Sequence, residues 1–287
     1  MNIDIDELYY SDDATENDKK LKNMIGEIVD ILDTNQLIET IDQLKKPFYT
    51  KKLQDYLISE NLPPLDSQEF AFLVQSAKYN GNIVKKIIRE SGISNYNIDK
   101  YIAKYQLNEI NRGIYVFPNK PIDAQFLFQA QYTRAVISHE TALYLHDLSD
   151  VIPRYTIMSI PLNYNFSQIE KNENRYIKIN TSSYNNNKAL VLQYDQNDSI
   201  YLVKNTPISS SQIKSKKTIY GNDIRVTSME RTIADIFKSN TEEEVKQNAL
   251  KKYHQKNPDD DKRLLRIAKQ QNVETKVKQY LWELQIY

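Results

Sequence analysis

Apolar residues recur at spacings of three and four from Leu21 onward: Leu21, Met24, Ile25, Ile28 and Leu32, then Leu37, Ile38, Ile41 and Leu44. That period predicts one or two amphipathic helices, broken near Asp33-Thr34-Asn35 and ended by Pro47. A third helix over 50–59 closes before Pro63-Pro64, the clearest boundary in the chain. Beyond it, Asp66 or Ser67 can cap a helix whose apolar face is Phe70, Phe72, Leu73, Val74 and Ala77, stopped by Asn80-Gly81. A short helix over 83–90 follows, with Ile83, Val84, Ile87 and Ile88 inward. After the tight turn Ser91-Gly92-Ile93-Ser94, Ser94 caps a helix carrying Ile98, Tyr101 and Ile102 on one face. Residues 107–118 then read as a hairpin turning at Asn111-Arg112-Gly113. Helix, helix, Gly-containing turn, helix and hairpin is the order of a winged helix-turn-helix.

From Asp123 the texture changes. Helices are predicted over 124–132 and 138–146, short strands over 155–161, 176–180, 200–203, 218–220 and 224–227, and helices again over 228–237, 242–256, 262–271 and 275–284. The stretch 163–217, rich in Asn, Ser and Lys, is expected to hold long loops around its strands. No internal repeat appears. The expected class is α+β in three parts: an acidic helical extension over 1–64, a winged helix-turn-helix over 65–122 and a mixed α/β domain over 123–287.

Composition narrows the function less than it first promises. The 38 basic and 38 acidic residues cancel, but they are segregated. Residues 1–20 hold seven acids against Lys19 and Lys20, so 1–64 reads as an acidic appendage, either a cap on the next domain or a partner surface. Between Lys78 and Lys120 eight basic residues face only Glu90, Asp99 and Glu109. The absence of cysteine excludes disulfides, thiolate metal sites and thiol nucleophiles. No apolar run reaches membrane-spanning length and the first residues lack a secretory pattern, so a cytoplasmic protein without a membrane partner is expected.

The third helix of the 65–122 region begins Ser94-Asn95-Tyr96-Asn97, with Lys100 and Lys104 following on later turns. Hydroxyls, amides and free helix N–H groups can meet base edges or phosphates. Lys85 and Lys86 on the preceding element, and Arg112 at the hairpin tip, would supply backbone contacts to duplex DNA; Lys78 and Arg89 add to them. Winged helices also serve as protein-interaction modules.

Catalytic readings of the C-terminal half fail on spacing. His139-Glu140 and His146 lie seven residues apart rather than in a His-Glu-x-x-His pattern, so capping by Ser138 and a buried or hydrogen-bonded His is the better reading. Arg231 and Asp235 are i,i+4 neighbours that can pair. Glu274-Thr275-Lys276 mimics a nuclease Glu-x-Lys but lacks a preceding acid-bearing strand. The run Lys204, Lys214, Lys216 and Lys217 reads as a solvated loop, or as a surface for an acidic or nucleic-acid partner. No metal site, cofactor fingerprint, phosphate loop or nucleophile elbow is visible, so no enzyme activity is expected.

Several ordered motifs resemble one family. Gly92-Ile93-Ser94 through Asn111-Arg112-Gly113-Ile114-Tyr115-Val116-Phe117-Pro118 looks like the turn, recognition helix and wing of the AbiEi-type abortive-infection antitoxins. Ser138-His139-Glu140-Thr141-Ala142-Leu143-Tyr144-Leu145-His146-Asp147-Leu148 resembles their S-H-E-T-A-L-Y-L-H-G-L signature, with Asp147 where Gly is more frequent. Gly221-Asn222-Asp223-Ile224-Arg225-Val226, leading into Glu230-Arg231-Thr232-Ile233-Ala234-Asp235, is similar to their G-x-x-V-R-V and E-R-T-I-x-D motifs. The resemblance runs from about residue 66 to 284. It leaves out residues 1–64, and the 163–217 stretch is longer than the family pattern.

The resemblance implies a type IV antitoxin of a phage-defence operon, bound as paired copies to promoter inverted repeats. It would counter a nucleotidyltransferase toxin without a stable complex, as a monomer or weak dimer off DNA. It places DNA reading on Ser94, Asn95, Tyr96, Asn97, Lys100 and Arg112. Antitoxicity falls on the domain holding His139, Glu140, Glu230 and Arg231, with Lys214, Lys216 and Lys217 as a further surface. A winged-helix regulator without a toxin partner, and a phage-defence nuclease, are the rival readings.

Overall fold

The computed structural model describes Glu27, Ile31, Pro63 and residues 67–167, 169, 176–180, 188–193, 199–257 and 261–284. Apart from those three positions, the acidic helical extension expected over 1–64 lies outside the described residues. The chain divides into two compact units, Met1–Ile122 and Asp123–Tyr287.

In the first unit, α1 (Gln68–Lys78) starts at Ser67, whose hydroxyl accepts from the Phe70 N–H at 3.0 Å. Asn80 and Gly81, at φ 49° and 75°, turn the chain into β1 (Asn82–Val84). Gly81 is required twice over, by its left-handed backbone and because a Cβ there would lie 2.8 Å from Lys120 Cγ. Next come α2 (Lys85–Glu90), α3 (Asn95–Lys104) and a hairpin of β2 (Asn108–Asn111) and β3 (Ile114–Val116). The three strands form an antiparallel sheet in the order β1-β3-β2, with Ile83 opposite Tyr115 and Glu109 also opposite Tyr115 on the other side.

The helix predicted over 83–90 is therefore shorter. Ile83 and Val84 are β-branched and paired to β3, and helix begins only at Lys85. Four aromatic rings organise the core. Phe72 on α1 lies 5.3 Å from Tyr101 and 6.4 Å from Tyr105 (ring centroids), and Phe117 stands 5.9 Å from Tyr105. Ile88, Ile93 and Ile98 pack around them, and Ile31 joins the same cluster.

The second unit is built on a seven-stranded mixed sheet. Its elements in chain order begin with α4 (Ala124–Gln131), β4 (Val136–Ile137), α5 (His139–Leu145) and β5 (Thr156–Pro161). There follow β6 (Tyr176–Asn180), β7 (Lys188–Gln193), β8 (Ser199–Asn205), a 3₁₀ turn (Ser210–Gln212), β9 (Ile213–Lys217) and β10 (Asp223–Thr227). Helices α6 (Met229–Lys238), α7 (Glu243–Lys256), α8 (Asp261–Gln270) and α9 (Glu274–Glu283) complete the unit.

The sheet order is β6-β7-β8-β5-β4-β10-β9. The pairs β5–β8 and β4–β10 are parallel and the remainder antiparallel. Helix α6 is buried along nearly its whole length and packs against α5, α7, α8 and α9, with Ile233, Ile236 and Phe237 meeting Leu143, Tyr253, Leu264, Val277 and Leu281. Helices, an antiparallel sheet and a mixed sheet place the chain in the α+β class.

Two expectations for 163–217 change. β7 occupies 188–193, which had read as loop, and Leu192 is buried within it. The predicted strand over 218–220 belongs instead to Ile213–Lys217, while Thr218 starts the β9–β10 loop, closed by Gly221 N–H on the Thr218 carbonyl. Lys214, Lys216 and Lys217 therefore sit on a strand at the sheet edge and not in a loop. An edge strand has a single neighbour, so polar residues on both faces are tolerated and the apolar alternation that announces a strand is missing; lysines also discourage pairing with another chain's edge.

Candidate nucleic-acid interface and a buried polar centre

In the first unit the start of α3 is fixed before it can contact anything. Ser94 Oγ accepts from the Asn97 N–H at 3.2 Å as the helix cap. The Gln68 side-chain oxygen, from the start of α1, accepts from Asn97 Nδ2 at 2.7 Å and from the Ser94 N–H. Two of the predicted DNA-reading residues, Ser94 and Asn97, thus spend polar atoms on joining α1 to α3. Asn95 and Tyr96 between them project outward, Tyr96 with 78% of its surface exposed.

The bases divide in the same way. Lys85 pairs with Asp99 on α3. Lys104 pairs with Glu69 on α1 at 2.6 Å, and the Tyr105 hydroxyl donates to the same carboxylate oxygen. Lys86, Lys100 and Arg112 have no acid partner among the described residues, and all three are exposed. Arg112 stands at the hairpin tip beside Gly113, whose φ of 75° lets the strand reverse over two residues. Asn95, Tyr96 and Lys100 are exposed on one helix, and Lys86 and Arg112 are exposed on α2 and at the hairpin tip, so the unit offers cationic and amide side chains and one aromatic ring to solvent.

In the second unit, residues distant in sequence converge on a buried polar centre. Arg231 is fully buried and uses all five of its N–H donors. Nε donates to Asp235 Oδ1 at 3.0 Å; one terminal nitrogen donates to the Pro207 carbonyl and Gln212 Oε1; the other donates to the carbonyl and the hydroxyl of Thr206. Asn205 Nδ2 donates to Asp235 Oδ1 at 3.0 Å and to Ser159 Oγ at 3.1 Å. Ser159 donates to Ser138 Oγ at 2.7 Å, which lies 2.8 Å from His139 Nδ1. A single hydrogen-bonded chain runs from α6 across β8 and β5 to the start of α5.

Ser138 does not cap α5 with its side chain, because its hydroxyl is engaged by Ser159 and His139. His139 is buried and hydrogen-bonded as expected, and it holds φ 53°, a left-handed conformation costing about 1–2 kcal/mol for a residue with a Cβ. Glu140 Oε1 accepts from the Thr241 hydroxyl at 2.6 Å, and buried Glu230 pairs with Arg263 at 3.2 Å. His146 Nε2 lies 2.6 Å from the Thr227 carbonyl. Burial lowers the pKa of His146, opposed by the Thr227 carbonyl and Glu230 and reinforced by Lys216 and Lys256.

The sequence-predicted antitoxic residues therefore split in two. His139, Glu230 and Arg231 are buried and Glu140 is half-buried; Lys214 and Lys217 are exposed on β9, with Lys216 half-buried. The Glu274-x-Lys276 pattern is not brought together as a nuclease pair: Glu274 engages Lys278 at 2.8 Å, an ordinary i,i+4 contact. Among the described residues no group of three His, Cys, Asp or Glu could hold a metal ion, and no helix is long and apolar enough to cross a membrane. Ser159, Asn205 and Gln212 were not singled out from the sequence; nothing in their spacing marks them, and only strand pairing assembles them. No protein-family model and no curated protein matches the chain.

Proposed function

We propose that this protein is a non-enzymatic, DNA-binding antitoxin that represses its own operon. The first unit acts as a winged helix-turn-helix, with α3 as recognition helix and the β2–β3 hairpin as wing. The second unit carries antitoxicity against a nucleotidyltransferase toxin, without a stable complex. The observation that carries the reading is the exposed surface of Asn95, Tyr96, Lys100 and Arg112, held in place by structural bonds that leave these side chains unpaired with acids. Its chemistry is that of phosphate contact plus base-edge readout. Two copies on an inverted repeat follow from the symmetry of such sites.

Fluorescence anisotropy of the full chain on its own promoter duplex and on a scrambled duplex, across a salt series, tests the reading. Promoter preference is expected, with Lys100→Ala and Arg112→Ala each lowering the slope of log K against log salt by about 0.9 per lost phosphate contact. Equal binding to both duplexes, or unchanged slopes in both variants, refutes it. Co-expression of a Lys100→Ala/Arg112→Ala double variant with the toxin encoded next door should still restore growth if the two units act separately.

A further inference from the structure

A cavity of about 300 Å³ opens into the second unit, bordered by Thr133, Arg134, Val136, Ile160, Ile213 and Arg225, with Ser159 and Thr206 also on its wall. Its volume falls at the lower end of the range that small-molecule sites occupy. Its position is also that of a ligand site. Ser159 and Ile160 are near the last residues of β5, and Thr206 follows the last residue of β8, so the cavity lies at the carboxyl ends of the parallel pair β5–β8.

The charge on this wall is one-sided. Among the described residues no Asp or Glu borders the cavity, while Arg134 and Arg225 do. Arg134 is exposed and has no ion pair or hydrogen bond among the described residues. Arg225 donates through one terminal nitrogen to the Gln129 and Ala135 carbonyls, at 3.0 and 3.3 Å, and its Nε is buried without any hydrogen-bond partner. Neither arginine meets a carboxylate among the described residues. By contrast Arg231, behind the wall, is matched by Asp235 and fully bonded, and its contacts hold Thr206 in place. Ser159 is likewise fixed by Ser138 and Asn205. Ser159 and Thr206 are held in place, the two arginines have no acid partner among the described residues, and Val136, Ile160 and Ile213 give the wall an apolar part.

We propose that this cavity binds a small phosphate monoester whose organic part is apolar or aromatic. Arg134 and Arg225 hold the phosphate, whose charge approaches two at neutral pH and so matches two guanidiniums where a monocarboxylate matches one. Val136, Ile160 and Ile213 take the organic group. This inference stands apart from the DNA-binding reading and survives its failure.

Isothermal titration of the full chain with phenyl phosphate, inorganic phosphate and benzoate tests it. Phenyl phosphate should bind saturably at one site per chain, at least about tenfold more tightly than either of the other two. Arg134→Ala, which removes an exposed side chain with no structural bond, should weaken it about tenfold or more, the scale of one charge-assisted partner. Arg225→Lys, which keeps the charge but loses the planar guanidinium, should weaken it too while circular dichroism confirms the fold. The proposal is overturned if phenyl phosphate shows no saturable binding at millimolar concentration, or if Arg134→Ala binds as the parent does. Equal affinity for inorganic phosphate removes the apolar subsite, and equal affinity for benzoate removes the phosphate assignment.

Discussion

Arg231→Leu is the most informative single change in the second unit. It deletes five donors at once and leaves Asp235, 1% exposed and bonded among the described residues otherwise only by Asn205, as a buried carboxylate without its counter-charge. The carbonyls of Thr206 and Pro207 and the Gln212 side-chain oxygen lose a donor as well. Breaking a buried pair from one side costs about 3–5 kcal/mol. For a unit of this size, each kcal/mol moves the melting temperature by roughly 2–4 °C, so a fall of about 6–20 °C is expected. The assay is urea and thermal unfolding of the full chain, with hydrogen exchange assigning the loss to the second unit. The double variant Arg231→Leu/Asp235→Leu should regain part of the loss, because the stranded charge goes with its partner. A loss below about 1 kcal/mol for Arg231→Leu, or no recovery in the double variant, would refute the argument that the pair and its bonds hold α6 against β8.

Other perturbations separate the remaining roles. Gly81→Val should destabilise the first unit by more than about 1 kcal/mol in denaturant titration, since the position has φ 75° and its Cβ would overlap Lys120; a neutral result would mean the turn relaxes freely. In the first unit, Lys100→Ala should weaken promoter binding more than Lys104→Ala, whose ammonium is already held by Glu69; the reverse order in anisotropy would move the interface. His146 is held below its ordinary pKa in the folded state, so the unfolded chain binds more protons once pH drops below about 6.5. Stability of the second unit should therefore fall as pH decreases from about 7 toward the folded-state pKa. The urea midpoint measured between pH 7.5 and 5.5 should lose part of that slope in His146→Gln, and an unchanged slope would assign it elsewhere.

Much of the first unit was legible because its signals are local. Ser67 and Ser94 precede apolar periodicity and do cap their helices; Gly81 and Gly113 stand where a left-handed backbone is needed. Such features need only neighbours in sequence. The strand β1 was not legible, because the apolar pair Ile83-Val84 satisfies helix and strand alike until a partner strand claims it. β9 was hidden for the opposite reason: at the sheet edge its lysines meet no burial requirement, and only hydrogen bonds to β10 make it a strand.

The i,i+4 spacing of Arg231 and Asp235 announced a pair, but not that both would be buried or that Asn205, Ser159 and Ser138 would extend it. Local patterning determined most of the helices, among them the capped one that presents Tyr96 and Lys100. Which cations remain free was decided by tertiary contact, since Glu69 and Asp99 reach Lys104 and Lys85 only once the helices pack. The same holds for the cavity. Arg134 and Arg225 are ninety-one positions apart, and they share one wall only because β4 pairs with β10 and with β5, a register that no stretch of sequence encodes alone.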